Sequence, residues 1–233
     1  MRPVNEEILN NVSWHSLVGP HACYAVGNDE TRRYVPGFAP LVGFANPQRP
    51  DFVALEAICD FGEHLYCGGW AGAVPRGWRI DRELPLIRML WDGVVTERDA
   101  IGDIVELRER HTAEATELID LTAPGPFGPR EFELGDYLGI YAEGQLVAMA
   151  GERMHAGVLR EISCVCTHPH WRGQALANRL TSELVRRQLT RKEIPFLHVT
   201  AVNSTARRLY EWMGFVQHSE TVMRLISRIE PAA

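Results

Sequence analysis

Residues Val165 to Leu180 read VCTHPHWRGQALANRL. An apolar strand runs into Pro169, the chain turns, and a helix opens near Arg172-Gly173. Amide N–H groups at a helix start have no intrahelical acceptor, and with the helix dipole they favour a phosphate there. Gly173 has no side chain to hold a ligand off its backbone. Ala175 and Ala177 keep the first turn low, and Arg172 adds a charge suited to phosphate oxygens. Two common nucleotide loops are absent: the Gly-x-x-x-x-Gly-Lys-Ser/Thr spacing, and Gly-x-Gly-x-x-Gly followed by an acidic residue. Alone, an Arg-Gly-x-Ala is equally a tight strand-to-helix turn without a ligand.

The surrounding sequence is regular. Leu176, Leu180 and Leu184 recur every fourth residue, which predicts a long helix over Arg172 to Lys192. Upstream, strands are predicted at Ile104 to Leu107 and Leu159 to Thr167. Tyr137 to Tyr141 and Leu146 to Arg153 form a hairpin turning at Glu143-Gly144. A helix is predicted over Thr112 to Leu121 with Thr112 as N-cap, then a breaker-rich loop, Ala123 to Arg130. Downstream, Phe196 to Ala201 is a strand. Ser204 to Met213 is a helix with Ala206, Leu209, Tyr210 and Met213 on one face, stopped by Gly214. Phe215 to Ile226 returns as a strand. This order predicts a mixed α/β sheet with helices packed on it.

Before Arg98 the pattern is irregular. Short strands are expected at Ala22 to Val26 and His64 to Gly68, a helix at Asp51 to Cys59, and a strand toward the end of Arg79 to Leu90. The chain thus divides into an N-terminal α/β region, 1–98, and a regular domain, 99–233.

The 233 residues are 45% hydrophobic and 23% charged, as in globular proteins. With 24 basic and 30 acidic side chains the net charge is −6, which disfavours nucleic acid as the main partner. No run approaches the ~20 apolar residues of a membrane span. Glu6 and Glu7 break the layout of a signal peptide. Five cysteines, an odd number, point to reduced thiols in a cytoplasm. Lys192 is the only lysine, a composition expected of a GC-rich bacterial genome. Both a monomer and a homodimer are compatible with the sequence.

Two spaced motifs carry a family resemblance. His170-Trp171-Arg172-Gly173-Gln174-Ala175 resembles the diphosphate loop, Gln/Arg-x-x-Gly-x-Gly/Ala, of the GNAT superfamily of acyl-CoA-dependent N-acyltransferases. Its first position departs from the pattern, so His170 takes no family role. Val165-Cys166-Thr167-His168-Pro169 looks like the family's fourth strand and following turn. Asn203, Ala206, Leu209-Tyr210 and Gly214-Phe215 resemble the second signature. The match covers roughly Ile104 to Arg228. It implies a GNAT-like fold with an N-terminal α/β extension, which resembles the degenerate half-copy of glycine N-acyltransferase-like proteins.

The resemblance implies acetyl-CoA as cofactor and a primary amine of a small molecule or peptide as acceptor, with no nucleic acid or membrane partner. Pantetheine would lie beside Val165, Cys166 and Thr167, and the pyrophosphate on the amides of Trp171, Arg172, Gly173, Gln174, Ala175 and Leu176. The strands ending at Thr167 and Ala201 would splay to admit the thioester, which the amine attacks directly. The Val165 N–H would polarise the acyl carbonyl. Tyr210 matches the tyrosine that protonates the departing thiolate, though it is also placed for core packing. Asn203 matches the residue that bonds the pantetheine arm, near Ala206, and is also placed to cap its helix.

Glu161 is the candidate base and Glu152 the reserve. Strand alternation puts Ile162, Cys164 and Cys166 on one face and Glu161 on the other. The plain alternative for Glu161 is an ion pair with Arg160 or Arg153. Phe127 and Arg130 are candidate acceptor contacts, or parts of a stiff connection. Two rival functions remain. Cys164, Cys166, His168 and His170 have ligand types suited to zinc, although Pro169 breaks the strand between the histidines. A non-catalytic acyl-CoA sensor would keep the fold without the chemistry.

Overall fold

The computed structural model describes residues 4–70, 72–93 and 103–230. Its strands are β1 (Ala25–Gly27), β2 (Thr31–Tyr34), β3 (Leu41–Phe44), β4 (His64–Gly68), β5 (Trp78–Trp91), β6 (Ile104–Glu106), β7 (Tyr137–Ala142), β8 (Gln145–Ala156), β9 (Leu159–Thr167), β10 (Ile194–Thr200) and β11 (Phe215–Arg228). Its helices are α1 (Glu6–Asn10), α2 (Val12–Val18), α3 (Phe52–Glu56), α4 (Thr112–Thr122), α5 (Leu176–Thr190) and α6 (Ser204–Met213). This is the mixed α/β architecture expected from the order of elements.

Local chemistry explains most boundaries. Glu143 and Gly144 have φ of 53° and 78°, the left-handed pair that a two-residue hairpin turn between β7 and β8 demands. Asp51 caps α3 by accepting from the Ala54 N–H at 2.9 Å. Gly214, at φ 102°, ends α6. Thr112 is not a cap: its hydroxyl donates to Glu109 O at 2.6 Å, and His111 holds the N-cap position of α4. Ala22–Tyr24 is a 3₁₀ turn, so the first strand is shorter than expected.

All eleven strands form one sheet, ordered β1-β2-β3-β4-β11-β5-β10-β9-β8-β7-β6. β5, from the first part of the chain, lies between β10 and β11, and β11 pairs on its other edge with β4. Each part of the chain therefore contributes a long strand to the other's neighbourhood. The expected boundary at 98 and 99 lies outside the described residues.

The sheet is curled. α2 packs on β3 and on β8, although five strands separate these two in the sheet. Contacts on both sides are close: a Cβ on Gly43 would stand 2.7 Å from the Trp14 Cα, and Ser16 Oγ accepts from the His155 N–H at 3.1 Å. α1, α2 and α4 fill the concave face. α5 and α6 cover the convex face, where Leu176, Leu180 and Leu184 pack on Leu138, Val147, Ile162 and Leu197. No helix among the described residues is long and apolar enough to cross a membrane.

Candidate active site

β9 and β10 pair in parallel only from Leu159 and Ile194 to Ile162 and Leu197. Beyond that point each strand continues on its outer partner, to Thr167 opposite Ala148 and to Thr200 opposite Leu86. The sheet is open between them. A bulge accompanies the opening: Cys164 has φ 53°, and neither Cys164 nor Val165 has a register partner on β8 or β10. A left-handed residue without the freedom of glycine costs ~1–3 kcal/mol and is retained where the surroundings enforce it. The extra residue flips side-chain parity. Ile162 therefore faces α5, whereas Cys164 and Cys166 face α4. This corrects the expectation of one shared face; Glu161 lies on the side of the two cysteines.

Past Thr167, His168 Nδ1 accepts from the His170 N–H at 3.2 Å and starts a 3₁₀ turn over Pro169–Trp171. The amides of Trp171 and Arg172 are engaged by His168 O (2.9 Å) and Pro169 O (3.4 Å). Gly173 and Ala175 are both left-handed, with φ of 79° and 56°, and α5 begins only at Leu176 rather than at Arg172. The amides from Gly173 through Asn178 have no acceptor in the described protein; the first helical bond runs from the Arg179 N–H to Ala175 O. The amides without an acceptor thus run over 173–178, and of the expected cofactor contacts Gly173, Gln174, Ala175 and Leu176 are among them. A Cβ on Gly173 would meet nothing within 4 Å, so the space above this turn is open. Arg172 Nε donates to Thr167 O at 3.3 Å, which ties its side chain to the end of β9.

Tyr210 is 7% exposed, and its ring packs edge-on against Phe215 at 5.8 Å. Its hydroxyl donates to no acceptor among the described residues. Burial and the neighbouring Cys166 raise the phenol above its ordinary range. Asn203 caps α6 by accepting from the Ala206 N–H at 3.1 Å.

Glu161 is 1% exposed. Arg153 Nε donates to its Oε2 at 3.2 Å, and His198 Nδ1 lies 2.9 Å from its Oε1. Burial alone would raise this carboxyl; the Arg153 charge and the His198 hydrogen bond outweigh burial and hold it at about 2. His198 Nε2 accepts from Arg88 Nε at 3.2 Å, so the ring is the neutral tautomer with its proton on Nδ1. Glu152 is equally committed, to Gln188, Arg191 and the Asp136 amide. Phe127 packs on Phe132 and Tyr137 in the cluster that holds Cys164 and Cys166. Arg130 is fastened to Glu133 at 2.6 Å and stacks over Phe38 at 4.5 Å.

A pH prediction follows. Glu161 titrates at about 2 when folded against an ordinary 4.5, so its stabilisation is present above pH 4.5 and lost as pH falls toward 2. The amount is on the order of 3 kcal/mol. In denaturant melts, the stability gap between wild type and Glu161→Gln should narrow over that window; a gap that stays constant contradicts the ion pair.

FR47-like proteins match residues 137–224. A crystal structure assigned to the GNAT family of acetyltransferases, from Novosphingobium aromaticivorans DSM 12444, is 34% identical, with a TM-score of 0.87 over 95% of this chain and 99% of that one. The chain belongs to the GNAT family of acetyltransferases. The GNAT fold extends to a GCN5-related N-acetyltransferase from Kribbella flavida (18% identity, 96% of each chain, TM-score 0.61). A GCN5-related N-acetyltransferase-like protein from Streptococcus suis 89/1591 also shares it (16% identity, 92% of each chain, TM-score 0.59). No curated protein matches the chain.

The zinc alternative finds no support in this GNAT chain. No group of three or more His, Cys, Asp or Glu among the described residues is placed to hold a metal. Burial pushes the Cys164 and Cys166 thiols up to about 12 and about 11, which disfavours the thiolate a zinc site needs. Sequence inspection missed His198 and Arg88. Their only local signal is a polar residue inside an apolar strand.

Proposed function

We propose that the protein is an N-acetyltransferase that moves an acetyl group from acetyl-CoA to a primary amine by direct attack. The observation that carries this reading is the run of acceptor-less amides from Gly173 through Asn178, beside the opening between β9 and β10. Those amides would hold the pyrophosphate, and the edge of β9 from Val165 to Thr167 the pantetheine arm, with Asn203 and Ala206 beside it. Bound acetyl-CoA supplies an activated thioester. The Val165 N–H polarises the acyl carbonyl. Tyr210 keeps its proton at neutral pH and gives it to the departing thiolate.

The base role is changed from the simplest expectation. A carboxylate held at about 2 by Arg153 and His198 is a poor acceptor for an ammonium proton, so Glu161 acts by positioning His198, and water carries the proton away. Residues 1–98 are read as a degenerate half-copy of the same fold, supported by the exchange of β5 and β11.

The test is free-thiol release from acetyl-CoA with a library of amines. Release that depends on the amine supports the reading. Tight CoA binding without release for any amine leaves the sensor instead.

A further inference from the structure

Glu161 and Cys164 stand three residues apart on β9, so in an unbroken strand their side chains would face opposite sides of the sheet. The bulge puts both on the side of α4, and one group joins them there. Arg153, on β8 and 9% exposed, donates from Nε to Glu161 Oε2 at 3.2 Å and from Nη2 to Glu161 Oε1 at 3.5 Å. Its Nη1 donates to Pro126 O at 3.2 Å. Cys164 Sγ lies 4.0 Å from the same carbonyl oxygen, at the range of a weak S–H···O contact. The contacts close a ring: Glu161, Arg153, Pro126, Cys164 and back along β9. The ring exists only while the bulge does, because flattening the strand would turn Cys164 away from Pro126 O.

Pro126 is a fixed post. Beside it in the loop 123–130, the Phe127 ring packs edge-on against Phe132 and Tyr137, with centroids 5.7 Å and 6.1 Å away. The Arg130 N–H donates to Gly37 O at 2.9 Å. A Cβ on Gly128 would stand 2.3 Å from Gly37 O, so the loop lies directly on the first part of the chain. On the other side of the ring, Glu161 Oε1 accepts from His198 Nδ1 at 2.9 Å. His198 follows Leu197, the last residue of β10 paired with β9. The clamp therefore sits where the sheet opens.

Cys164 has φ 53°, which a residue with a side chain keeps only under constraint. The next residue, Val165, has no register partner on β8 or β10. The direction of its N–H follows from the bulge and not from a regular ladder position.

We propose that Arg153 is a positioning residue: by holding Glu161 and Pro126 O together it keeps Cys164 left-handed, and so aims the Val165 N–H at the acyl carbonyl. This rests on the acetyltransferase reading above.

The test is a double-mutant cycle read by thiol release and by calorimetry of CoA binding. Arg153→Lys keeps a charge for Glu161, but a single ammonium cannot span both partners. It should lower kcat about 10²-fold, as a misdirected oxyanion donor does, with the Kd for CoA within twofold of wild type. In a Cys164→Gly background, where glycine takes the same φ without strain, the same substitution should cost less than ~5-fold. An equal loss in both backgrounds overturns the proposal, as does a loss that falls on CoA affinity and not on kcat. Should Arg153→Lys fail to fold, Gly128→Ala takes its place. It pushes the loop off Gly37 without touching a charge, and should show the same loss and the same recovery. If the wild type releases no thiol with any amine, the acetyltransferase reading fails, and the clamp is read from the ¹³C shifts of Cys164, which report its φ. In Arg153→Lys those shifts should leave the left-handed range; shifts that stay at their wild-type values overturn the clamp.

Discussion

Tyr210→Phe should lower kcat by about 10²- to 10⁴-fold, the usual worth of a positioned general acid, while the Kd for CoA stays within twofold of wild type. The phenylalanine keeps the buried ring and its edge-on contact with Phe215, so stability should change little. Only the hydroxyl is lost, and it has no partner among the described residues to leave unsatisfied. The sign of the pH effect is also fixed. A general acid must be protonated, and the phenol is raised by burial and Cys166, so it contributes no loss of rate until well above pH 10. Steady-state kinetics with calorimetry of CoA binding separate the two quantities. Turnover of the variant at the wild-type rate removes Tyr210 from the mechanism.

Gly173→Glu should weaken CoA binding by at least ~10²-fold. Two physical effects add. A side-chain-bearing residue at φ 79° is strained by ~1–2 kcal/mol. Its carboxylate would also stand over the amides proposed above to hold the pyrophosphate, as a competing anion of the same charge sign. Gly173→Ala separates the effects, because its Cβ meets nothing within 4 Å and brings strain without charge. Its affinity should fall between wild type and the glutamate variant. Equal affinity of all three proteins by calorimetry contradicts the placement of the anion.

The sequence was informative where local chemistry sets the outcome. β9 and α6 begin and end where apolar alternation, Asn203 and Gly214 place them. The turn after Thr167 was legible as a strand-to-helix turn because a glycine follows a strand and precedes a helical stripe. Its detail was not. Nothing in Gly-Gln-Ala announces that Ala175 is also left-handed, so the helix start lay three residues later than Gly173. The Cys164 bulge was equally hidden, since a cysteine carries no signal for positive φ. For Glu161 the plain alternative, an ion pair with Arg153, is the one that forms, whereas alternation says nothing of His198, which reaches it from β10. The insertion of β5 between β10 and β11 sets Arg88 beside His198 across more than a hundred residues, and no local pattern encodes such a pairing.

The most direct measurement is a titration of ¹⁵N-labelled protein with CoA, following the backbone amides one by one. The account predicts that resonances from Gly173 through Asn178 move together and saturate together, ahead of any change in the N-terminal strands. If those resonances stay in place at saturating CoA while others shift, the cofactor binds elsewhere and the assignment of this loop is wrong.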